Sequence, residues 1–332
     1  MNVLAFGEVM MRLAVPNYKM LEQTESLEMS FSGTGLNILS SLAHNGVKTH
    51  LLTVLPANTV GRTARSFIRK LGVSDERILI EGQHIGSYFL EMGYGNRPSE
   101  VTYMDRSQSA FCQVKLSDEV IKTALKDIKL LHICGIALST SKQSRENALN
   151  LARIAQELKI MICFDFNYRM SLAKADEHDI LIDSYKKMLH YSNVVFGSEK
   201  DLLLLLKIEH SEEEQVEMLY RKFMKEYHVS FFGGTTKVNE GNRKILQGFL
   251  ASQSDIVYSQ KREIISFDRI GTGDAFAAGI LIGLIEDWTL QETVEFASVN
   301  AQLSYTTYGD SPIISRELIE AKLMDENIDI IR

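Results

Sequence analysis

Six short apolar runs, most of them separated by a stretch with helical spacing, constrain this chain more than any other feature. The runs are Val3–Phe6, His50–Val54, Lys129–Cys134, Ile160–Phe164, Val194–Phe196 and Val229–Phe232. Helical patterns lie at residues 36–45, 61–71, 117–125, 144–158, 179–190 and 212–226. A strand that is apolar along its whole length is buried on both faces, and intervening helices are what cover it. The pattern predicts an α/β fold, a three-layer α/β/α sandwich with a mainly parallel central sheet. The last part is more helical, with patterns at 274–286, 290–305 and 315–324. Ser211-x-x-Glu214 reads as a capping box, which makes the acidic run 212–214 a solvated first helical turn.

Two segments break this rhythm. Residues 11–31 and 85–103 alternate polar with apolar residues, and no helix separates their strands. They predict a small second sheet standing off the first, suited to a lid or a dimer surface. With four prolines and no low-complexity tract there is little material for a linker. One domain over residues 1–332, carrying this lid, is therefore expected.

The most informative short stretch is Asp268-Arg269-Ile270-Gly271-Thr272-Gly273-Asp274-Ala275-Phe276-Ala277-Ala278-Gly279. Two glycines precede an acid at the start of an apolar helical run. A turn of this kind presents unpaired backbone N–H groups at a helix N-terminus, which is a cradle for anions. Asp274 falls in the first helical turn, beside any anion held there. A carboxylate beside a bound phosphoryl group suits a base that guides a hydroxyl nucleophile. The same letters also describe an ordinary Gly-rich turn with an acidic cap.

Other chemistries find less support. No Gly-x-x-x-x-Gly-Lys-Ser/Thr loop occurs. Gly33-Thr34-Gly35 and Gly271-Thr272-Gly273 both fail the dinucleotide fingerprint, because Ile38 and Phe276 occupy the third-glycine position. No clustered ligand set points to a transition metal. The net charge of −7, from 36 basic and 43 acidic residues, argues against a general nucleic-acid or acidic-membrane binder. Cys112, Cys134 and Cys163 are odd in number and without CxxC spacing, which fits reduced thiols in a cytoplasmic protein. The N-terminus reads as a strand and not as a signal peptide, and no apolar run approaches membrane-spanning length.

Two arginines stand at suggestive places. Arg106 follows the second lid segment, and Arg169 lies just past the C-terminal end of a buried strand, in Asp165-Phe166-Asn167-Tyr168-Arg169. Ligands bind at that edge of open parallel sheets. A guanidinium matches a carboxylate or a phosphate through paired hydrogen bonds.

With these pieces placed, the chain resembles the ribokinase/phosphofructokinase-B family of sugar kinases, and within it the kinases of 2-dehydro-3-deoxygluconate. The resemblance runs over nearly the whole chain. It is carried by Phe6-Gly7-Glu8-Val9-Met10-Met11-Arg12-Leu13, Gly33-Thr34-Gly35-Leu36-Asn37, Tyr88-Phe89-Leu90-Glu91, Asp105-Arg106 and Asp165 to Arg169. Its strongest element is Asp268 to Gly279, similar to the family's Asp-x-x-Gly-x-Gly-Asp signature, and Tyr308-Gly309-Asp310 resembles the subgroup's Gly-Asp. Departures are Ser32-Gly33 for Gly-Gly, Ser198-Glu199-Lys200-Asp201 for Asn-x-x-Glu, and Arg269 for the usual Thr.

The resemblance implies a ribokinase-like fold and ATP-dependent phosphorylation of 2-dehydro-3-deoxy-D-gluconate to its 6-phosphate. It implies Asp274 as catalytic base and Gly271, Thr272 and Gly273 as the anion hole. Gly33, Asn37, Tyr88, Arg106, Arg169 and Asp310 would meet the sugar, the arginines reading its carboxylate. Ser198, Gly233, Gly273 and Asn300 would lie by the nucleotide. ATP would enter with Mg²⁺ bridging its phosphates and no protein-held metal site, and the lid would join two copies into a homodimer. The alternatives are a kinase for a neutral sugar such as fructose or ribose, and a sugar-binding protein of the same fold without catalysis. Two buried cations would have nothing to pair with on a neutral sugar, which favours the acid.

Overall fold

The computed structural model describes residues 1–168, 177–211, 214–241 and 243–324. All six apolar runs become strands, and they lie side by side in parallel. From one edge the order is Lys48–Leu52, Asn2–Phe6, Leu130–Cys134, Met161–Asp165, Val194–Phe196 and Phe231–Glu240. The sheet then turns antiparallel through Arg243–Ser252, which pairs with Ile256–Tyr258 and with Arg262–Glu263. The expectation of a mainly parallel sheet holds. Gly233 to Lys237 lie inside the strand Phe231–Glu240.

Alternation along the first strand shows how the layers form. Leu4 and Phe6 enter one core, with Leu131, Ile133 and Phe164, beneath the helices Lys142–Glu157 and Val216–Tyr227. Val3 and Ala5 enter the other, with Leu130, Cys163 and Val194. The helices Thr34–His44, Thr272–Ile285 and Leu290–Ser304 cover that face. Helix Thr272–Ile285 is apolar nearly all round, as expected of a helix packed between the sheet and two other helices.

The two alternating segments form a separate four-stranded sheet, in the order Glu28–Ser32, Met10–Ala14, Ser87–Glu91 and Glu100–Met104. Met10, Ala14, Tyr88, Leu90 and Met92 form its inner face, packed on Tyr18 and Ile270. Met11, Leu13 and Phe89 point the other way and are half-buried. Period-two alternation thus gives a sheet with one face on the body of the molecule.

Candidate active site

The parallel strands end along one edge, and Gly7, Glu8, Cys134, Asp165, Gly197 and Ser198 follow from them into a cleft of about 880 Å³. That volume lies within the range of small-molecule sites. The helices Thr34–His44 and Thr272–Ile285 bring their N-termini to the same cleft.

Local sterics explain the glycines at these two helix starts. A Cβ on Gly33 would lie 2.0 Å from the Glu8 carbonyl oxygen. Gly271 has φ +81°, and a Cβ there would lie 1.9 Å from the Asp310 carbonyl oxygen. Gly273 differs, because a Cβ on it would meet no protein atom within 4 Å. The protein itself does not require that glycine, whereas a ligand approaching the backbone would. The Ala275 N–H donates to the Gly271 carbonyl and closes the first helical turn. The N–H groups ahead of it have no intrahelical acceptor and, by helix geometry, point outward with the positive end of the helix dipole. Asp274 sits beside them, buried in the cleft wall.

Asn37, expected to meet sugar hydroxyls, lines the cleft and gives its Nδ2 hydrogen to Asp274 Oδ2 at 2.7 Å. Its Oδ1 accepts from the Ser311 hydroxyl at 3.0 Å.

Asp310 is held on both carboxylate oxygens, Oδ1 by the Arg12 guanidinium and Oδ2 by the Tyr88 hydroxyl. Ser32 Oγ lies 2.7 Å from the Tyr88 oxygen. Burial and the Asp310 charge push the Tyr88 phenol far above its usual range, so it stays a donor. Arg12 also reaches within 3.6 Å of Asp268 Oδ2. Asp268 in turn accepts from the backbone N–H of Ile270 and of Gly309. Burial works against the Arg12 charge, but Asp310, Tyr88 and Asp268 hold it protonated. Asp268, being buried, titrates above the usual carboxylate range despite Arg12 and these two N–H groups. Three strands of the second sheet therefore converge, through Arg12, Tyr88 and Ser32, on the loops that flank the Gly271–Gly273 turn.

Arg106 is buried against the cleft, its Nε donating to Glu8 Oε2 at 2.5 Å. Ser109 donates to the other Glu8 oxygen. This corrects the view of Arg106 as a cation needing a charged ligand, because Glu8 already neutralises it. What remains is one buried nitrogen, Nη1, with no hydrogen-bond partner among the described residues. Arg169 lies outside the described residues.

The nucleotide side differs from expectation at two positions. Asn300 is fully buried beneath the site, donating to Ser41 Oγ and to the Ala275 carbonyl. It ties three helices together and does not line the cleft. Gly233 is an interior strand residue whose carbonyl accepts from Gly197 N–H, and Gly234, Thr235 and Lys237 face the cleft instead. Ser198 lines the cleft, with its hydroxyl and N–H donating to Asp201 Oδ2. Glu8, Arg12 and Ser311 carry geometry that the sequence reading did not assign. Glu8 and Arg12 lie in the first motif, but their partners are about 100 and 300 residues away.

Among the described residues no cluster of three or more His, Cys, Asp or Glu side chains could cage a metal. Asp165 and Asp201 do line the cleft. A few carboxylates and no cage suit an ion held mainly by phosphates, as Mg²⁺ commonly is.

Residues 1–316 match the model of the pfkB family carbohydrate kinases. The chain belongs to that family. It is 28% identical over 332 residues, 99% of both chains, to a 2-dehydro-3-deoxygalactonokinase of Haloferax volcanii. Among solved structures it superposes with a TM-score of 0.96 and 44% identity on an Enterococcus faecalis protein provisionally named 2-keto-3-deoxygluconate kinase, covering 100% of this chain and 98% of that one. The 2-dehydro-3-deoxygluconokinase of Thermotoga maritima superposes at 0.89 with 28% identity, covering 97% of each chain. The fold is ribokinase-like and the protein is a sugar kinase.

Proposed function

We propose that this sugar kinase transfers the terminal phosphoryl group of ATP to the primary hydroxyl of 2-dehydro-3-deoxy-D-gluconate, giving the 6-phosphate. The observation that carries the reading is the pairing, in one cleft, of two features. One is a glycine turn open to an anion beside Asp274, and the other is a buried Arg106 nitrogen still lacking a partner. A keto acid supplies a hydroxyl for the first and a carboxylate oxygen for the second. The names of the relatives point to the same substrate class.

In this mechanism Asp274 takes the proton of the sugar's primary hydroxyl. The hydroxyl oxygen bonds to the terminal phosphorus, and the bond from that phosphorus to the bridging oxygen breaks, leaving ADP. The N–H groups at Gly271 to Gly273 face the charge that develops on the transferred group and the leaving phosphate. Mg²⁺, when bound with ATP, neutralises charge between the phosphates, with Asp165 and Asp201 at hand. The second sheet serves as the lid that excludes water through Arg12 and Tyr88. Three buried thiols fit a cytoplasmic setting, and among the described residues no helix is long and apolar enough to cross a membrane.

A neutral sugar is the second reading, and the Glu8–Arg106 pair favours it, since that pair needs no further charge. An ATP-consumption assay separates the two. The panel holds 2-dehydro-3-deoxygluconate, its galactose-series epimer, gluconate, fructose and ribose. The keto acid is expected to give the highest kcat/KM. A higher value for fructose or ribose overturns the assignment, and a higher value for the epimer moves it to the galactose series.

A further inference from the structure

We propose that Ser311 and Asn37 form a relay that fixes the carboxylate of Asp274, which makes Asn37, a residue of the cleft lining, also a positioning residue for the base. The proposal rests on reading Asp274 as the base of a sugar kinase. Asn37 sits in the first turns of helix Thr34–His44 and Asp274 in the first turn of helix Thr272–Ile285, and the two helices pack directly on each other. Both side chains are buried, with Asn37 at 4% exposure and Asp274 at 8%.

The terminal torsion of an Asp side chain is broad, so burial alone does not decide which lone pairs face a substrate. The 2.7 Å bond from Asn37 Nδ2 to Asp274 Oδ2 supplies that constraint. An amide has one donor end and one acceptor end, and reversing it would set a carbonyl oxygen against a carboxylate. An ionised Asp274 accepts only, so Nδ2 must face it and Oδ1 must turn away. There Oδ1 meets the Ser311 hydroxyl at 3.0 Å. Deleting that hydroxyl leaves a buried carbonyl oxygen unpaired and releases the amide from its fixed orientation. Ser311 follows Asp310, which Arg12 and Tyr88 grip from the second sheet. The far end of the relay is thus anchored by the lid strands.

Kinetics and a measurement independent of turnover test the idea together. With the sugar acid as acceptor, Asn37→Ala is expected to lower kcat by about 100-fold, the scale of a mispositioned general base, with the KM for ATP within about twofold of wild type. Ser311→Ala is expected to lower kcat by roughly three- to tenfold, and Ser311→Thr, which keeps the hydroxyl, to restore most of that loss. A kcat retained in Asn37→Ala, whatever its sugar KM, overturns the proposal. Equal kcat in the Ser311 Ala and Thr variants also overturns it, and that comparison stands even if Asn37→Ala fails to fold. In ¹⁵N–¹H spectra, the Asn37 side-chain amide resonance should move in both Ser311→Ala and Asp274→Asn. A resonance unmoved in both removes the relay whatever the substrate. A wild-type protein inactive on every sugar tested would instead overturn the kinase reading while the spectra still decide the relay.

Discussion

As the proposed base, Asp274 combines two conditions that pull against each other. A carboxylate is a weak proton acceptor at neutral pH, while its place beside the glycine turn would put it next to the reacting oxygen. A loose phosphoryl-transfer transition state tolerates a weak base, because orientation matters early and proton removal comes late. Asp274→Asn keeps the volume, and its amide can turn its oxygen toward the Asn37 donor. It is expected to lose about two orders of magnitude in kcat while sugar binding by calorimetry and the thermal melt stay near wild type. Near-native turnover would place the base elsewhere, and failure to fold would make Asp274 a structural cap. Arg106→Ala tests the other end of the substrate. It removes the donor proposed to meet the carboxylate and strands Glu8, so the KM for the keto acid should rise by about 30-fold, on the order of 2 kcal/mol, with the KM for ATP little changed. An unchanged sugar KM would send the carboxylate to another residue. At this scale Asp274, Gly271 and Gly273 were legible because one short stretch holds them all. The partners of Arg12 and Arg106 were not, because Asp310 and Glu8 lie 298 and 98 positions away and nothing local marks the pairing.

Strands and helices were legible where burial on both sides leaves an unbroken apolar run, as in Leu130–Cys134. They were not where one element leaves the core. Strand Phe231–Glu240 begins with apolar residues and ends exposed, in Thr-Lys-Val-Asn-Glu, so its second half reads as loop. Of the box expected at Ser211 and Glu214 only one bond is seen, from Ser211 N–H to the Glu214 carboxylate, and the helix begins later, at Val216, with Gln215 as its N-cap. Residues 212 and 213 of the acidic run lie outside the described residues. Strand Leu130–Cys134 also carries an anomaly with a measurable consequence. His132 is fully buried with neither ring nitrogen hydrogen-bonded among the described residues, and burial pushes its pKa down to about 3. Because the folded state binds the proton more weakly than the unfolded chain, stability is fully present above pH 6.5 and declines as pH falls toward 3. At pH 5 the loss from this residue amounts to about 2 kcal/mol, from about 1.4 kcal/mol per pH unit. His132→Leu should therefore lose less stability than wild type between pH 7.5 and pH 5 in urea titrations. Equal acid sensitivity in both proteins would mean that His132 is solvated or paired in solution.

For the molecule as a whole, the sequence pattern carried the three layers and the separate small sheet, because period-two and period-3.6 runs occupy different parts of the chain. It could not say which face of the small sheet turns inward. Phe31 and Met92 are buried against the body and Met11 packs on the same core as Phe31, while Leu13 and Phe89 are half-buried on the outer face. Met29 and Met104 are exposed on that same outer face, with Met20, Leu21 and Leu27 in the segment between the first two strands, whereas Val101 and Tyr103 turn toward the cleft. Single exposed apolar residues are ordinary, but this many on one small sheet form a patch of the kind that marks an interaction surface. The strands Glu28–Ser32 and Glu100–Met104 are the two edges of that sheet and leave backbone groups open to pairing. We propose that a second copy of the chain covers the patch, since the face is formed by the lid strands and two lids can meet symmetrically. Light scattering at micromolar concentration should give the mass of a dimer, and Met29→Glu with Met104→Glu should yield a monomer that keeps its thermal melt. A wild-type monomer under these conditions would leave the lid face without this partner. A double variant that remains dimeric would move the interface off the lid, because two carboxylates cannot be buried there without opposing charge.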